Sequence, residues 1–179
     1  SDAPLRIIFL SRISPKKNLE FLLKSLCLAR ERIELAIYGP LEDLGYWKRC
    51  QGLMSKLPSN ISVEYCGEID ASQVIEIFSG FELFVFPTFG ENYGHVVLES
   101  LTSGTPVLIS DQTPWSASPD GAVSILPLAD PLCWAEALDR HACLNADERL
   151  RLKSLATCYA RDYLQDCNVV QKTRHLFSS

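Results

Sequence analysis

Short apolar runs alternate with amphipathic runs along most of the chain. Arg6-Ile-Ile-Phe-Leu-Ser11 is apolar through its centre and predicts a buried strand. From Asn18 to about Arg32, the residues Leu19, Leu22, Leu23 and Leu26 recur at helical spacing and predict an amphipathic helix. The alternation continues with a strand over Leu35-Ala-Ile-Tyr38, ended by Gly39-Pro40, and a helix from about Asp43 to Leu57. A strand over Ile61–Tyr65 closes at Gly67, a short helix covers Ala71 to Phe78, and a strand over Leu83–Phe86 runs into Pro87. Gly94 to Ser103 reads as helical, Pro106–Ile109 as a strand, and Ser124–Leu128 as a candidate sixth strand.

Strands that are apolar throughout, separated by helices, predict a parallel sheet covered on both faces. The fold class is therefore α/β, a doubly wound, Rossmann-like parallel sheet. Asp130-Pro131 supplies a cap and a first-position proline for a further helix. Asn145-Ala-Asp-Glu148 reads as a capping box opening another. Two or three C-terminal helices thus close the chain, one running to about Phe177. There is no internal repeat and no low-complexity stretch.

Composition narrows the function classes. The 179 residues are 47% hydrophobic and 22% charged, with a formal net charge of -5. That is a globular composition without the basic face of nucleic-acid binders. An anionic ligand would need a local cluster of cations and backbone amides. No apolar run approaches the ~20 residues that span a bilayer, and the opening Ser-Asp-Ala-Pro resembles neither a signal peptide nor a native start, which suggests an excised domain. The seven cysteines are scattered and form no C-x-x-C pair, so they read as reduced thiols serving as small hydrophobes, as in a cytosolic protein.

In open parallel sheets, ligands bind beyond the carboxyl ends of the strands. Two clusters stand there. After the first strand comes Ser11-Arg12-Ile-Ser-Pro-Lys16-Lys17-Asn18, which places Arg12 and Lys17 at the mouth of a helix. An anion such as a pyrophosphate would meet a guanidinium, an ammonium and a helix N-terminus there. After the fourth strand comes Pro87-Thr-Phe-Gly90-Glu91-Asn-Tyr-Gly94-His95-Val-Val-Leu-Glu99, continuing to Gly104-Thr105-Pro106. Gly90 and Gly94 let backbone approach a ligand, and a helix from about Gly94 aims free amides at the same crevice. Glu91 lies before that helix and Glu99 about two turns into it, so each can meet a different part of one elongated ligand. Carboxylates accept well from sugar hydroxyls.

Together these residues resemble the C-terminal domain of the group 1 transferases of glycosyltransferase family 4, which have the GT-B fold. That family carries a Gly-Arg after its first strand, a Lys-Gly five residues on, two glutamates with seven residues between, and an Ala-x-Gly-x-Pro-Val segment. The matching positions are Ser11-Arg12, Lys17-Asn18, Glu91 and Glu99, and Ser103-Gly104-Thr105-Pro106-Val107. The resemblance implies that residues 1–179 are the donor-binding half of a retaining, metal-independent glycosyltransferase, without its N-terminal acceptor-binding domain. Arg12 and Lys17 would hold the donor diphosphate, Glu91 would face the donor sugar, and Glu99 the ribose hydroxyls. Backbone amides around Tyr93 and Gly94, with His95 in the first helical turn, would help bind sugar and phosphate. Gly67-Glu68-Ile69 matches the base-binding segment after the third strand.

The substrate implied is a nucleoside diphosphate sugar, with no further cofactor. Its partner is the N-terminal acceptor domain, through which any contact with the inner face of a membrane would be made by a cytoplasmic full-length protein. The departures are Ser11, Asn18 and Asn92, which stand where glycines are usual and alter loop freedom more than chemistry. A phosphorylase or nucleotide-sugar epimerase on the same fold, or a non-catalytic nucleotide-sugar-binding module, are the alternatives. An NAD-dependent dehydrogenase is disfavoured because no G-x-G-x-x-G follows the first strand. Trp47, Trp115 and Trp134 read as packing residues, His141 and His175 as surface residues of the helical tail, and Asp111 has no assigned role.

Overall fold

A computed structural model describes residues 3–91 and 95–177. The strands are β1 (Leu5–Leu10), β2 (Ile33–Tyr38), β3 (Ile61–Gly67), β4 (Leu83–Phe86), β5 (Val107–Ser110) and β6 (Val123–Leu126). The helices are α1 (Leu19–Leu28), α2 (Leu44–Met54), α3 (Val74–Ser79), α4 (His95–Thr102), α5 (Pro131–Ala142) and α6 (Ala146–Phe177). All pairings are parallel, in the order β3-β2-β1-β4-β5-β6. The predicted doubly wound α/β domain is what forms, the candidate sixth strand included.

The order follows from handedness. Right-handed crossovers from β1 to β2 and from β2 to β3 step the same way, so α1 and α2 fall on one face. The chain then returns past β1 to β4, and α3 and α4 fall on the other. Helix α1 packs on α2 and α5, α3 packs on α4, and α4 packs on α6. Strands β4 and β5, buried at every residue, are the centre of the molecule.

Two expectations need correction. The sheet is not covered on both faces throughout. Strand β2 alternates buried and exposed positions, and Arg6, Glu34, Ser62 and Glu64 stay exposed on the face of β1–β3 away from α1 and α2. Both helices of that half lie on one side, so those strands carry polar residues on the other. Helix α1 also ends at Leu28 instead of about Arg32. Ala29 is extended, and the Arg30 and Glu31 amides donate to the Asp139 carboxylate of α5 at 3.0–3.1 Å. A tertiary acceptor takes the amides that a longer helix would have used.

The C-terminal helices start as their caps predict. The Asp130 carboxylate accepts from Leu132 N at 2.9 Å. Asn145 and Glu148 make the reciprocal capping-box bonds at 2.8 and 2.9 Å. Trp134 is fully buried and its indole N–H donates to Pro127 O at 2.9 Å. Trp47 and Trp115 are also buried, so all three tryptophans pack. No helix among the described residues is long and apolar enough to cross a membrane.

Candidate functional site at the switch point of the sheet

Strand order reverses between β1 and β4. Their following segments turn to opposite faces, and a crevice opens between them at the carboxyl edge. The loops after β1 and β4 are the two that carry the candidate residues.

The β1 loop is pinned from beneath. Ile13 is fully buried, its N–H donates to Pro40 O at 2.9 Å and its carbonyl accepts from Asp43 N. This plug leaves Arg12 outward, exposed, with only a loose approach to Glu42 at 3.6 Å. Two exposed partners in water hold each other weakly, so the guanidinium stays available. A single 3-10 turn, Pro15–Lys17, then leads into α1. It turns Lys16 outward and buries Lys17, which is 7% exposed.

Lys17 meets Glu91. Its Nζ donates to Glu91 Oε2 at 2.8 Å and lies 5.7 Å from the centre of the Phe86 ring. The two residues are far apart in sequence and come together only because β1 and β4 are neighbours. Removing one partner from so buried a pair costs about 3–5 kcal/mol, because the survivor keeps its desolvation penalty.

Two further bonds fasten the two loops, and two more shape the β4 loop itself. Asn18 Nδ2 donates to Pro87 O at 2.9 Å and Phe89 N to Lys16 O at 2.9 Å. The Thr88 hydroxyl, fully buried, donates to Gly90 O at 2.9 Å and shapes the turn before Glu91. Ser110 Oγ donates to Thr88 O and ties in the end of β5. Asn18 has φ 64°, the one positive φ among the described residues other than glycine. Asparagine is the side chain that tolerates this region best after glycine, so its substitution for the usual glycine keeps the backbone and adds a bond.

The α1 terminus contributes less than expected from sequence. The Glu20 N–H, in the first turn of α1, is taken by the Tyr46 hydroxyl at 2.9 Å. Tyr46 is buried and burial pushes its hydroxyl pKa upward, against the lowering effect of that backbone bond. An anion at this mouth therefore meets Arg12 and Lys17 more than free α1 amides. Tyr93 and Gly94, named for their amides, lie outside the described residues, as does Asn92.

His95 opens α4, exposed at its first position, and Glu99 follows about one turn later on the same face, half-buried, nearer the helix start than the two turns expected from sequence. Burial raises the Glu99 carboxyl above its ordinary value, and the His95 charge opposes the shift. On the other flank the carboxyl edge is continuous. Gly39 N donates to Gly67 O at 2.9 Å, and the Tyr65 hydroxyl donates to Gly39 O. Gly39, at φ 138°, passes so close to β1 that an added Cβ would lie 1.7 Å from Ser11 O. Gly67 also has positive φ, and beyond it Glu68 is exposed and Ile69 half-buried. Two strand spacings, about 10 Å, separate this segment from the β1 loop.

The structure thus joins Lys17 to Glu91, sets Arg12 in the same β1 loop, and places His95 with Glu99 one element further on. It sets Gly67–Ile69 apart on the β3 side. Sequence reasoning passed over Ile13, Tyr46 and Thr88, whose roles lie in contacts across elements. His141, expected at the surface, is instead half-buried. It lines a cleft of about 380 Å³ with Leu108, Ser124, Leu126, Arg140 and Leu144, away from these loops.

Fold and switch point define a Rossmann-like domain of the kind found in GT-B glycosyltransferases. The sequence profile of the glycosyl transferases group 1 matches residues 1–117, and the chain belongs to that family. Among its relatives is an uncharacterized glycosyltransferase of Methanocaldococcus jannaschii, 28% identical over 117 residues, covering 61% of this chain and 28% of that protein. The sulfoquinovosyl transferase SQD2 of Arabidopsis thaliana is 33% identical over 110 residues, 60% of this chain and 19% of that protein. The chain thus spans less than a third of the length of these two relatives. Of solved structures, Anabaena HepE in complex with UDP-glucose superposes with TM-score 0.78 at 15% identity, covering 98% of this chain and 49% of that one. The catalytic domain of the cholesterol-α-glucosyltransferase from Helicobacter pylori superposes with TM-score 0.73 at 20% identity, over 90% of this chain and 99% of that one. At these identities the likeness is one of fold.

Proposed function

We propose that this chain is the donor-binding half of a retaining, metal-independent glycosyltransferase that moves a sugar from a nucleoside diphosphate sugar to an acceptor hydroxyl. The observation that carries the reading is the meeting of Lys17 and Glu91 at 2.8 Å, one from each loop of the switch-point crevice. A fixed cation and a fixed acceptor side by side suit a ligand that is anionic at one point and a hydroxyl donor at the next. Arg12 and Lys17 hold the diphosphate and stabilise the negative charge that grows on it as the bond to the anomeric carbon breaks, the kind of electrostatic help that is often the largest catalytic contribution. Glu91 accepts from the sugar hydroxyls and Glu99 from the ribose. His95, with backbone amides near Tyr93 and Gly94, completes the sugar and phosphate contacts, and Gly67-Glu68-Ile69 flanks the base. HepE, a structural neighbour solved with UDP and with UDP-glucose, supports the ligand class.

The acceptor site belongs, in this reading, to an N-terminal domain outside residues 1–179, and the whole protein works in the cytoplasm. Positioning the acceptor hydroxyl requires both halves, so the chain alone binds donor and does not transfer sugar. A thermal-shift panel of UDP, GDP, ADP and their glucose esters identifies the nucleotide, since binding raises apparent stability by mass action. Product formation is then measured for this chain and for the full-length protein, with and without a chelator. Transfer by the chain alone overturns the two-domain reading, and chelator-sensitive transfer overturns metal independence.

A further inference from the structure

Lys17 is already neutralised before any ligand arrives, and its position leaves little freedom. Its Nζ is fixed between Glu91 Oε2 at 2.8 Å and the Phe86 ring at 5.7 Å, in a residue 7% exposed. An incoming phosphate oxygen must come to the ammonium, and so comes within a few ångströms of the Glu91 carboxylate. The loops cannot relieve the contact by separating, because Asn18 to Pro87 O and Phe89 N to Lys16 O hold them together.

We propose that Glu91 acts as a competing anion at Lys17, so that the site discriminates against the bare nucleoside diphosphate and in favour of its sugar ester. This rests on the reading of Lys17 as a diphosphate ligand. The chemistry differs between the two ligands where Glu91 stands. The sugar ester carries a singly charged terminal phosphate and presents hydroxyls that donate to the carboxylate, replacing the ammonium proton it shares or loses. Once its last proton is lost, the free diphosphate carries one more negative charge on that phosphate and has no donor to offer. Like charges in a part-buried crevice repel far more strongly than in water. Glu91 thus favours the substrate and expels the product, which makes it a specificity residue as well as a sugar contact.

The experiment is calorimetry of this chain with whichever of UDP, GDP and ADP binds, and with the glucose ester of that nucleotide. Wild type is compared with Glu91→Gln and Glu91→Asp. Glu91→Gln keeps the size and an acceptor but removes the charge. It should bind the free diphosphate about tenfold tighter, ~1.4 kcal/mol, and the ester no tighter, while Glu91→Asp keeps the wild-type preference. Since Glu91→Gln leaves a buried ammonium and risks misfolding, the wild type is also titrated with the methyl ester of the same diphosphate, which lacks the extra charge and adds no donor, and which should bind tighter than the free diphosphate. Unchanged or weaker diphosphate binding in Glu91→Gln, or equal tightening of both ligands, overturns the discrimination while leaving the donor site intact. If wild type binds none of the three diphosphates or their esters, the donor-site reading itself falls, and this inference with it.

Discussion

Replacing Asn18 separates two contributions that the structure superimposes on one residue. Asn18 takes φ 64° and donates from Nδ2 to Pro87 O at 2.9 Å, and both groups are buried. Asn18→Ala loses the bond, leaving a buried carbonyl unpaired at a cost of about 1–3 kcal/mol. Alanine also lacks the short polar side chain that lets asparagine settle in the left-handed region, and meets there a penalty of up to about 1–2 kcal/mol. The expected total is about 3 kcal/mol. Asn18→Gly loses the same bond and adds about 0.5–1 kcal/mol of unfolded-state entropy, but it suits the left-handed backbone, so it should cost about 2 kcal/mol. Urea denaturation reads the difference as a lower midpoint at unchanged slope. In a domain of this size each kcal/mol also moves Tm by roughly 2–4 °C. If Ala were tolerated as well as Gly, the backbone argument would fail. If neither moved the midpoint, the cross-loop bond would contribute nothing.

Gly39→Ala should be worse than either, by about 4 kcal/mol, because overpacking against Ser11 O at 1.7 Å adds to strain at φ 138°; a near-native melting curve would contradict it. Glu99 has its carboxyl raised by burial, so the folded state holds its proton to higher pH than the unfolded state, and stability falls as pH rises through the raised value. Glu99→Gln should therefore stabilise the chain at pH 7 but not well below the ordinary carboxylate range, while weakening a ribonucleotide more than its 2′,3′-dideoxy analogue. His141 runs the other way: burial first, then Arg140 and Arg149, push it down to about 4. The unfolded chain takes up that proton near pH 6.5 and the folded chain does not, so stability is lost as pH falls from about 6.5 to 4, by up to roughly 3 kcal/mol. Melting curves of His141→Gln against wild type should diverge across that interval and run parallel above pH 7.5; divergence above pH 7.5 would refute the assignment.

Much of this protein follows from residues close together in sequence. The apolar runs place the strands, with β4 at Leu83–Phe86 as read, and the Asp130 and Asn145 caps start α5 and α6, because these signals act within a few residues. The carboxyl edge as the candidate site follows from the α/β pattern, and Arg12, Lys17, Glu91 and Glu99 stand out as charges just beyond or beside apolar segments. Tertiary structure alone decided how those charges behave. Lys17 and Glu91 pair because strand order reverses between β1 and β4, a fact of topology that no local pattern encodes. The same topology put α1 and α2 on one face and left Glu34 and Glu64 exposed on the other. Asp139 cut α1 short from a helix far along the chain, and Tyr46 occupied one amide of the α1 N-terminus, the end at which the sequence places an anion. Local sequence sets which segments become regular, since a hydrogen-bond ladder and a hydrophobic stripe need only neighbours. Which polar groups remain available to a ligand depends on every element packed against them, and that is settled only when the chain has folded.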